Sequence, residues 1–385
     1  MNVPQLRFDG FDREWESFTL GEISVVQTGP FGSQLHNADY VKEGTPIITV
    51  EHFGDNRIIH KNLPLVSEAD RTRLEKYSLI LGDIVFSRVG SIDRRVIVRK
   101  EEVGWLFSGR CLRVRVKNEI TNDKYVSHYL GTKKCLNEIQ SKAVGGTMAS
   151  LNTAILSSIN ICVPTLEEQE EVARFFDLLQ LKIEKQKEKI GNLEQFKKGM
   201  MQKIFSQELR FKDEDGGEFG EWEEKKLGQF LKIKHGRDQK KIEIPNGKFP
   251  ILATGGTIGR TDTFIYDKES VLIGRKGTID RPVFMDSPFW TVDTLFYSEI
   301  KENNYPKFLF YVFQNINWKL YNEASGVPSL SAKTIEAIKV TAPSFKEQKV
   351  IADYLSVIDR KIEKEKEKLM VVEEQKKGFM QGMFV

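Results

Sequence analysis

The stretch from Pro164 to Phe205 reads PTLEEQEEVARFFDLLQLKIEKQKEKIGNLEQFKKGMMQKIF. The chain writes it again from Pro343 to Phe384 as PSFKEQKVIADYLSVIDRKIEKEKEKLMVVEEQKKGFMQGMF. Aligning the two prolines sets an offset of 179 (343 − 164) that holds without a gap for about forty residues. Glu168-Gln169 falls on Glu347-Gln348, Lys182-Ile183-Glu184-Lys185 on Lys361-Ile362-Glu363-Lys364, and Lys197-Lys198-Gly199 on Lys376-Lys377-Gly378. A match of this length is an internal duplication. Its physical content is a heptad. Spacing of four and three picks out Val172, Phe176, Leu179, Ile183, Gln186, Ile190, Leu193, Lys197, Met200 and Ile204 in the first copy. In the second it picks out Ile351, Leu355, Ile358, Ile362, Glu365, Leu369, Val372, Lys376, Phe379 and Met383. Such a seam predicts a long helix that buries one narrow stripe against another helix. The prolines suit the helix starts, since proline disfavours helix in the residue before it. One amphipathic helix on a globular core is the alternative, but two copies of one seam can satisfy each other.

If a two-fold axis relates the copies, the helices run antiparallel as a coiled coil, and the polar seam positions choose the register. Setting Lys197 opposite Glu365 and Gln186 opposite Lys376 also sets Ile190 opposite Val372 and Leu193 opposite Leu369. Polar then meets polar and apolar meets apolar. A lysine buried against leucine would cost several kcal/mol, roughly.

The rest of the chain falls into place around these helices. With 385 residues there is room for two domains with cores of their own. A hydrophobic content of 40% with 29% charged residues is ordinary for a soluble protein, and no apolar run approaches a membrane span. No secretory signal is visible at Met1-Asn2-Val3-Pro4, and Cys111, Cys135 and Cys162 sit in no metal spacing. These features predict a reduced, cytoplasmic protein. A net charge of +3 neither requires nor forbids nucleic acid.

The chain divides into a globular region at 1–160, a helix at 161–205, a linker at 206–221, a second globular region at 222–340 and a second helix at 341–385. In the first region Ile23 to Thr28, Pro46 to Val50 and Ile84 to Phe86 read as strands, and Tyr125 to Gln140 as a helix. Cys111 to Lys117 alternates, with Leu112, Val114 and Val116 on one face and Arg113, Arg115 and Lys117 on the other. The second region retraces the first loosely. Trp222 with Leu227-Gly228 repeats Trp15 with Leu20-Gly21. Arg275 to Arg281 matches Arg88 to Arg94, and Tyr305 to Tyr321 matches the helix at Tyr125. The class is α+β, one domain-then-helix unit written twice. Asp213-Glu214-Asp215-Gly216-Gly217 marks the linker.

Signs of chemistry are few. Gly255-Gly256-Thr257-Ile258-Gly259-Arg260 comes nearest a phosphate cradle and lacks the lysine. Ser287-Pro288-Phe289-Trp290 approaches the motif with which adenine methyltransferases grip a flipped base, but lacks the second proline. No cysteine or histidine cluster has zinc spacing.

Binding remains. Glycine-flanked loops carry the side-chain types that meet phosphates and base edges. In the first region these are Gly29, Phe31, Gly32, Ser33 and Gln34, then Arg88, Ser91 and Arg94, then Gly146 and Thr147. In the second they are His235, Arg237 and Gln239, then Thr254, Thr257 and Arg260, then Arg275, Lys276 and Thr278, and finally Ser329. The face of Arg113, Arg115 and Lys117 could lie along a sugar-phosphate backbone, or form a solvated edge strand. Arg88 with Asp93, and Arg275 with Asp280, could instead be structural ion pairs common to both halves.

This plan resembles the specificity subunit of type I restriction-modification enzymes, over essentially the whole chain. The resemblance rests on Trp15 and Trp222 with their Leu-Gly and on Gly82-Asp83-Ile84-Val85-Phe86-Ser87-Arg88. It also rests on Leu166-Glu167-Glu168-Gln169 with Phe345-Lys346-Glu347-Gln348, and on the helix ends from Lys197 and Lys376. It implies a non-catalytic chain with two target-recognition domains separated by two long helices. Each domain would read one half of a split site in double-stranded DNA. Two modification subunits using S-adenosylmethionine would dock on the helices and domains, and two restriction subunits using ATP and Mg²⁺ would join them. No metal or cofactor is expected in this chain. The alternatives are a stand-alone bipartite DNA-binding protein, or a methyltransferase or nuclease with cryptic motifs.

Overall fold

The structure, a computed structural model, describes residues 3–30, 34–117, 120–145 and 149–385. The backbone separates into two units, one made of Met1–Gln186 with Lys368–Val385, the other of Lys187–Glu367.

The first unit opens with β1 (Glu16–Thr19), the single turn α1 (Leu20–Ile23) and β2 (Ser24–Thr28). Then come β3 (Tyr40–Val41), β4 (Thr45–Ile48), β5 (Leu65–Val66), α2 (Glu68–Arg73), β6 (Ile84–Ser87), β7 (Arg95–Ile97), β8 (Leu106–Phe107) and β9 (Cys111–Val116). The helices α3 (Asp123–Tyr129), α4 (Lys133–Lys142) and α5 (Thr153–Ser157) precede β10 (Asn160–Val163) and the long helix α6 (Leu166–Phe205). One sheet has the order β2-β9-β6-β7, a second β3-β5-β4-β8, and β1 pairs with β10. The helix expected over Tyr125 to Gln140 is two helices. Thr132 starts the second by accepting from the Cys135 N–H, as Asn122 caps the first through Lys124 and Tyr125.

The second unit repeats this plan. It holds β11 (Glu223–Lys226), α7 (Leu227–Phe230), β12 (Leu231–Lys234), β13 (Phe249–Ala253), β14 (Gly256–Thr261), β15 (Ser270–Gly274), β16 (Val283–Met285), β17 (Trp290–Thr291) and β18 (Leu295–Ile300). After these come α8 (Pro306–Asn315), α9 (Ala332–Ala337), β19 (Lys339–Ala342) and the long helix α10 (Phe345–Met383). The sheets run β12-β18-β15-β16 and β14-β13-β17, with β11 on β19. The helix expected to reach Tyr321 ends at Asn315, and Trp318–Tyr321 is a 3₁₀ turn. The glycine-rich stretch Gly255 to Arg260 belongs to the β13–β14 hairpin.

The shared motifs hold each unit to its helix. Glu168 is buried and takes a two-pronged bond from Arg7, at 2.7 Å and 2.7 Å; Glu347 takes the same from Arg210, at 3.3 Å and 2.9 Å. Gln169 accepts from the Asn122 N–H and donates to the Pro164 carbonyl; Gln348 accepts from the Tyr305 N–H and donates to that of Pro343. Leu20 donates its N–H to Ile159 and Leu227 donates to Ile338. Trp15 meets Tyr125 edge-on, and Trp222 meets Phe308. The stretch expected as a linker is docked rather than free: besides Arg210, Phe211 packs on Tyr354.

Within each unit two helical segments run antiparallel. In the first, Phe175 meets Phe379 at 5.1 Å and Gln180 meets Lys376 at 2.5 Å, so numbers fall on α10 as they rise on α6. In the second, Lys189 pairs with Glu365 and Lys197 with Asp359. Val172, Phe176 and Ile183 are buried in the first unit, and Ile351, Leu355, Ile358 and Ile362 in the second, as the seam requires.

The register differs from the one expected. Lys197 pairs with Asp359 at 2.6 Å, six residues short of Glu365 (365 − 359), or roughly 9 Å along the helix. Its image Lys376 donates to Gln180, and 180 + 179 = 359, so the two bonds join equivalent positions of the repeat. The pairing of Lys197 with Glu365 is thereby replaced, and Glu365 pairs with Lys189 instead. Lys197 also reaches the Gln314 carboxamide at 3.0 Å and lies 5.1 Å from the Tyr311 ring centre. Lys197 is thus held by the globular part as well as by the facing helix.

Candidate nucleic-acid interface

In each unit three loop segments meet at one end of the four-stranded sheet, at Gly29, Arg88 and Leu151 in the first and at Gly236, Arg275 and Leu330 in the second. β2 and β6 end, and β9 begins, side by side: Thr28 pairs with Leu112 and Ser87 with Cys111. In the second unit Lys234 pairs with Tyr297, and Gly274 with Leu295. The same backbone bonds then tie the loops together. Arg88 N–H donates to Arg110 and Arg275 N–H to Thr294; Leu151 N–H donates to Arg88 and Leu330 N–H to Arg275; Gly90 N–H donates to Ala149 and Gly277 N–H to Pro328. Val89 bridges Ser150, and Lys276 bridges Ser329. Gly29 and Gly236 take equivalent seats where a Cβ would lie 2.2 Å from the Ser108 carbonyl and 2.1 Å from that of Val292. No other residue fits there. The frame is common to both units.

Several predicted contact residues belong to this frame. Arg88 donates to the Gly109 carbonyl at 3.2 Å, and Arg275 to the equivalent carbonyl of Asp293 at 3.4 Å while also pairing with that carboxylate. The expected partner Asp280 instead pairs with Lys319. Arg260 spends its guanidinium on the carbonyls of Gly247 and Lys248, and Arg94 reaches that of Phe53. Gln34 accepts from the Tyr77 hydroxyl. Thr254 sits beside the turn at Gly274 and Gly277, and Thr278 brings its carbonyl to the same turn. The Gln239 carbonyl closes the turn to Ile242 and Glu243, and the Ser329 N–H donates to Asn322.

The basic face is corrected outright. β9 lies inside its sheet, and residues 76 to 83 cover that face. Arg113 is 5% exposed and donates to the Ser78 carbonyl at 3.1 Å; burial lowers its pKa. Arg115 grips buried Asp83 at 2.8 Å and 2.7 Å, and those hydrogen bonds raise its pKa against the burial that opposes them. Lys117 donates to the Glu22 carbonyl. At Arg113 and Arg115 this face is neither a phosphate track nor a solvated edge, while Lys117 at its end is exposed.

What the frame leaves outward differs between units. Ser91 and Arg94 are exposed in the first, as are His235, Arg237, Thr257 and Lys276 in the second. His235 is held edge-on to Phe296. Arg110, Lys240 and Lys241 are exposed on the same loops and escaped the sequence reading; they flank glycine or a turn without repeating between halves. Phe31, Gly32, Ser33, Gly146 and Thr147 lie outside the described residues. Among the described residues no cluster of histidine, cysteine or carboxylate could hold a metal ion, and no helix is long and apolar enough to cross a membrane.

Two modules on one frame, presenting different side chains and joined to long helices, define a paired recognition protein. Comparison with known proteins agrees. The family model for the type I restriction modification DNA specificity domain matches residues 12–195 and 220–374. The putative type I restriction enzyme MjaX specificity subunit of Methanocaldococcus jannaschii is 29% identical over 98% of this chain and 95% of its own. The MjaVIII specificity subunit of the same organism is 29% identical over 95% and 91%. The solved S subunit of the type I system of M. genitalium superposes with a TM-score of 0.66 at 17% identity, covering 100% of this chain and 99% of its own. The chain therefore belongs to the type I restriction-modification DNA specificity family, as a specificity subunit with two target-recognition domains.

Proposed function

We propose that each unit reads one half of a bipartite, asymmetric DNA site in the major groove, and that the two helices set the spacing between the halves. The observation that carries this reading is the loop frame, common to both units in its backbone bonds and different in its exposed side chains. Readers of one ancestry that present unlike residues fit unlike half-sites. The chain itself carries out no catalysis. It recruits two modification subunits, which bring S-adenosylmethionine and methylate adenine, and two restriction subunits, which bring ATP and Mg²⁺. The complex works in the cytoplasm.

The test is an exchange. Residues 1–160 are replaced by the equivalent part of a relative, the chimera is expressed with its modification subunit, and the methylated sites are mapped on genomic DNA. One half-site changes and the other stays. A change in both half-sites, or methylation without a split site, refutes the independent-reader model.

A further inference from the structure

We infer that Arg237 is a specificity-determining residue of the second unit, reading a guanine by its two-pronged fork. This rests on the reading above that the loop clusters meet DNA. Three observations single Arg237 out. Its backbone is pinned on both sides: its N–H donates to the Thr291 carbonyl at 2.8 Å, and its carbonyl accepts from the Trp290 indole N–H at 2.9 Å. The residue before it, Gly236, is wedged against the carbonyls of Thr291 and Val292, so the loop cannot slide. The Arg237 side chain is exposed and has no hydrogen-bond or ion-pair partner among the described residues. Arg88, Arg94, Arg113, Arg115, Arg260 and Arg275 all spend their guanidinium groups on protein. The backbone seat is fixed before binding and the planar fork is unspent, while the torsions between them are set by the base it meets.

The equivalent seat in the first unit carries a different side chain. Gly29 is wedged against the Ser108 carbonyl as Gly236 is against that of Val292, and Pro30 follows it where Arg237 follows Gly236. The chain thus keeps the seat and changes what sits on it, which is what two readers of different half-sites require. Guanine is the base assigned because its O6 and N7 match the spacing of the guanidinium N–H groups.

The experiment uses the full chain with its modification subunits. The target is taken from the methylated sites or, if none are found, from duplexes selected out of a random pool. Binding is then measured on duplexes in which each base pair of the second half-site is changed in turn. For Arg237→Ala, affinity for the target falls roughly 5- to 150-fold, and one G·C pair stops mattering while every other position and the whole first half-site keep their preference. Arg237→Lys keeps the charge but recovers only part of the discrimination. An equal loss on all duplexes with a shallower salt slope would make Arg237 a phosphate contact and overturn the inference. So would a second half-site with no G·C pair, or unchanged preferences. A wild-type complex that selects no sequence at all overturns the DNA-reading proposal itself, which separates the two failures.

Discussion

Replacing Gln169 by alanine should loosen the first unit alone. Gln169 is fully buried at the start of α6. Its carbonyl accepts from the Asn122 N–H at 2.8 Å, and its amide donates to the carbonyls of Pro164 at 2.9 Å and Ile120 at 3.1 Å. Alanine leaves one N–H and two carbonyls without these partners. The Asn122 site is only part-buried, so water recovers some of the loss and the net cost is about 2–3 kcal/mol. That corresponds to roughly 30- to 150-fold in the equilibrium for local opening. Hydrogen exchange on peptides covering 120–130 should accelerate by this factor, while peptides covering 303–313 stay as they were. Gln348→Ala should do the reverse, because Gln348 makes the same bonds to Tyr305 and Pro343. Gln169→Glu should be no better than alanine, since a carboxylate would face two carbonyls. Equal acceleration in both units, or none in either, would refute the claim that these glutamines each clamp one unit.

Other expectations follow from the same geometry. Arg115→Ala strips buried Asp83 of its cation and should cost about 2–4 kcal/mol in chemical denaturation, while the salt slope of DNA binding stays unchanged. A lower slope with unaltered stability would return that face to DNA. His128 is buried beside Asp177 at 3.0 Å, and burial lowers its pKa below the ordinary 6.5 despite that carboxylate. The unfolded chain then binds the proton more readily, so stability should fall as pH drops below about 6.5, and His128→Gln should flatten that dependence. A wild-type stability curve with no slope there would contradict it.

The helices were legible because their repeat is gapless. Each seam residue has its image at a fixed distance, and the period of burial follows from the spacing alone. The globular parts were less so, because insertions shift the offset between anchors. The sequence match sets the helix start at Tyr305 against that at Tyr125. The bonds from Gln169 and Gln348 instead equate Asn122 with Tyr305, and Tyr125 with Phe308. The tripeptide Leu6-Arg7-Phe8 recurs as Leu209-Arg210-Phe211, and this was the overlooked signal that the linker is docked. In both places the leucine N–H bonds to the end of a long helix, Gly382 or Lys203. The basic face of β9 misled for a physical reason. Alternation shows that one face is polar, but not whether another segment covers it and satisfies it with carbonyls.

The linear description, a domain followed by its helix, also misses how each unit is completed. The first unit contains the start of α6 and the end of α10, and its core includes Met383 and Phe384. Phe384 stacks on Phe176 at 5.3 Å and meets Tyr125 at 5.5 Å, while Phe379 covers Phe175. The second unit takes the end of α6, with Ile204 buried against residues such as Trp222 and Phe308, and the start of α10. Each globular part is therefore finished by the far end of the other repeat's helix. A chain cut after Phe205 would keep the first globular part whole in sequence, yet strip several aromatic and methionine side chains from its core. Duplication alone would have allowed two self-sufficient units. The exchange of helix ends makes the two recognition domains depend on one chain, while the loop frame leaves each free to present its own residues.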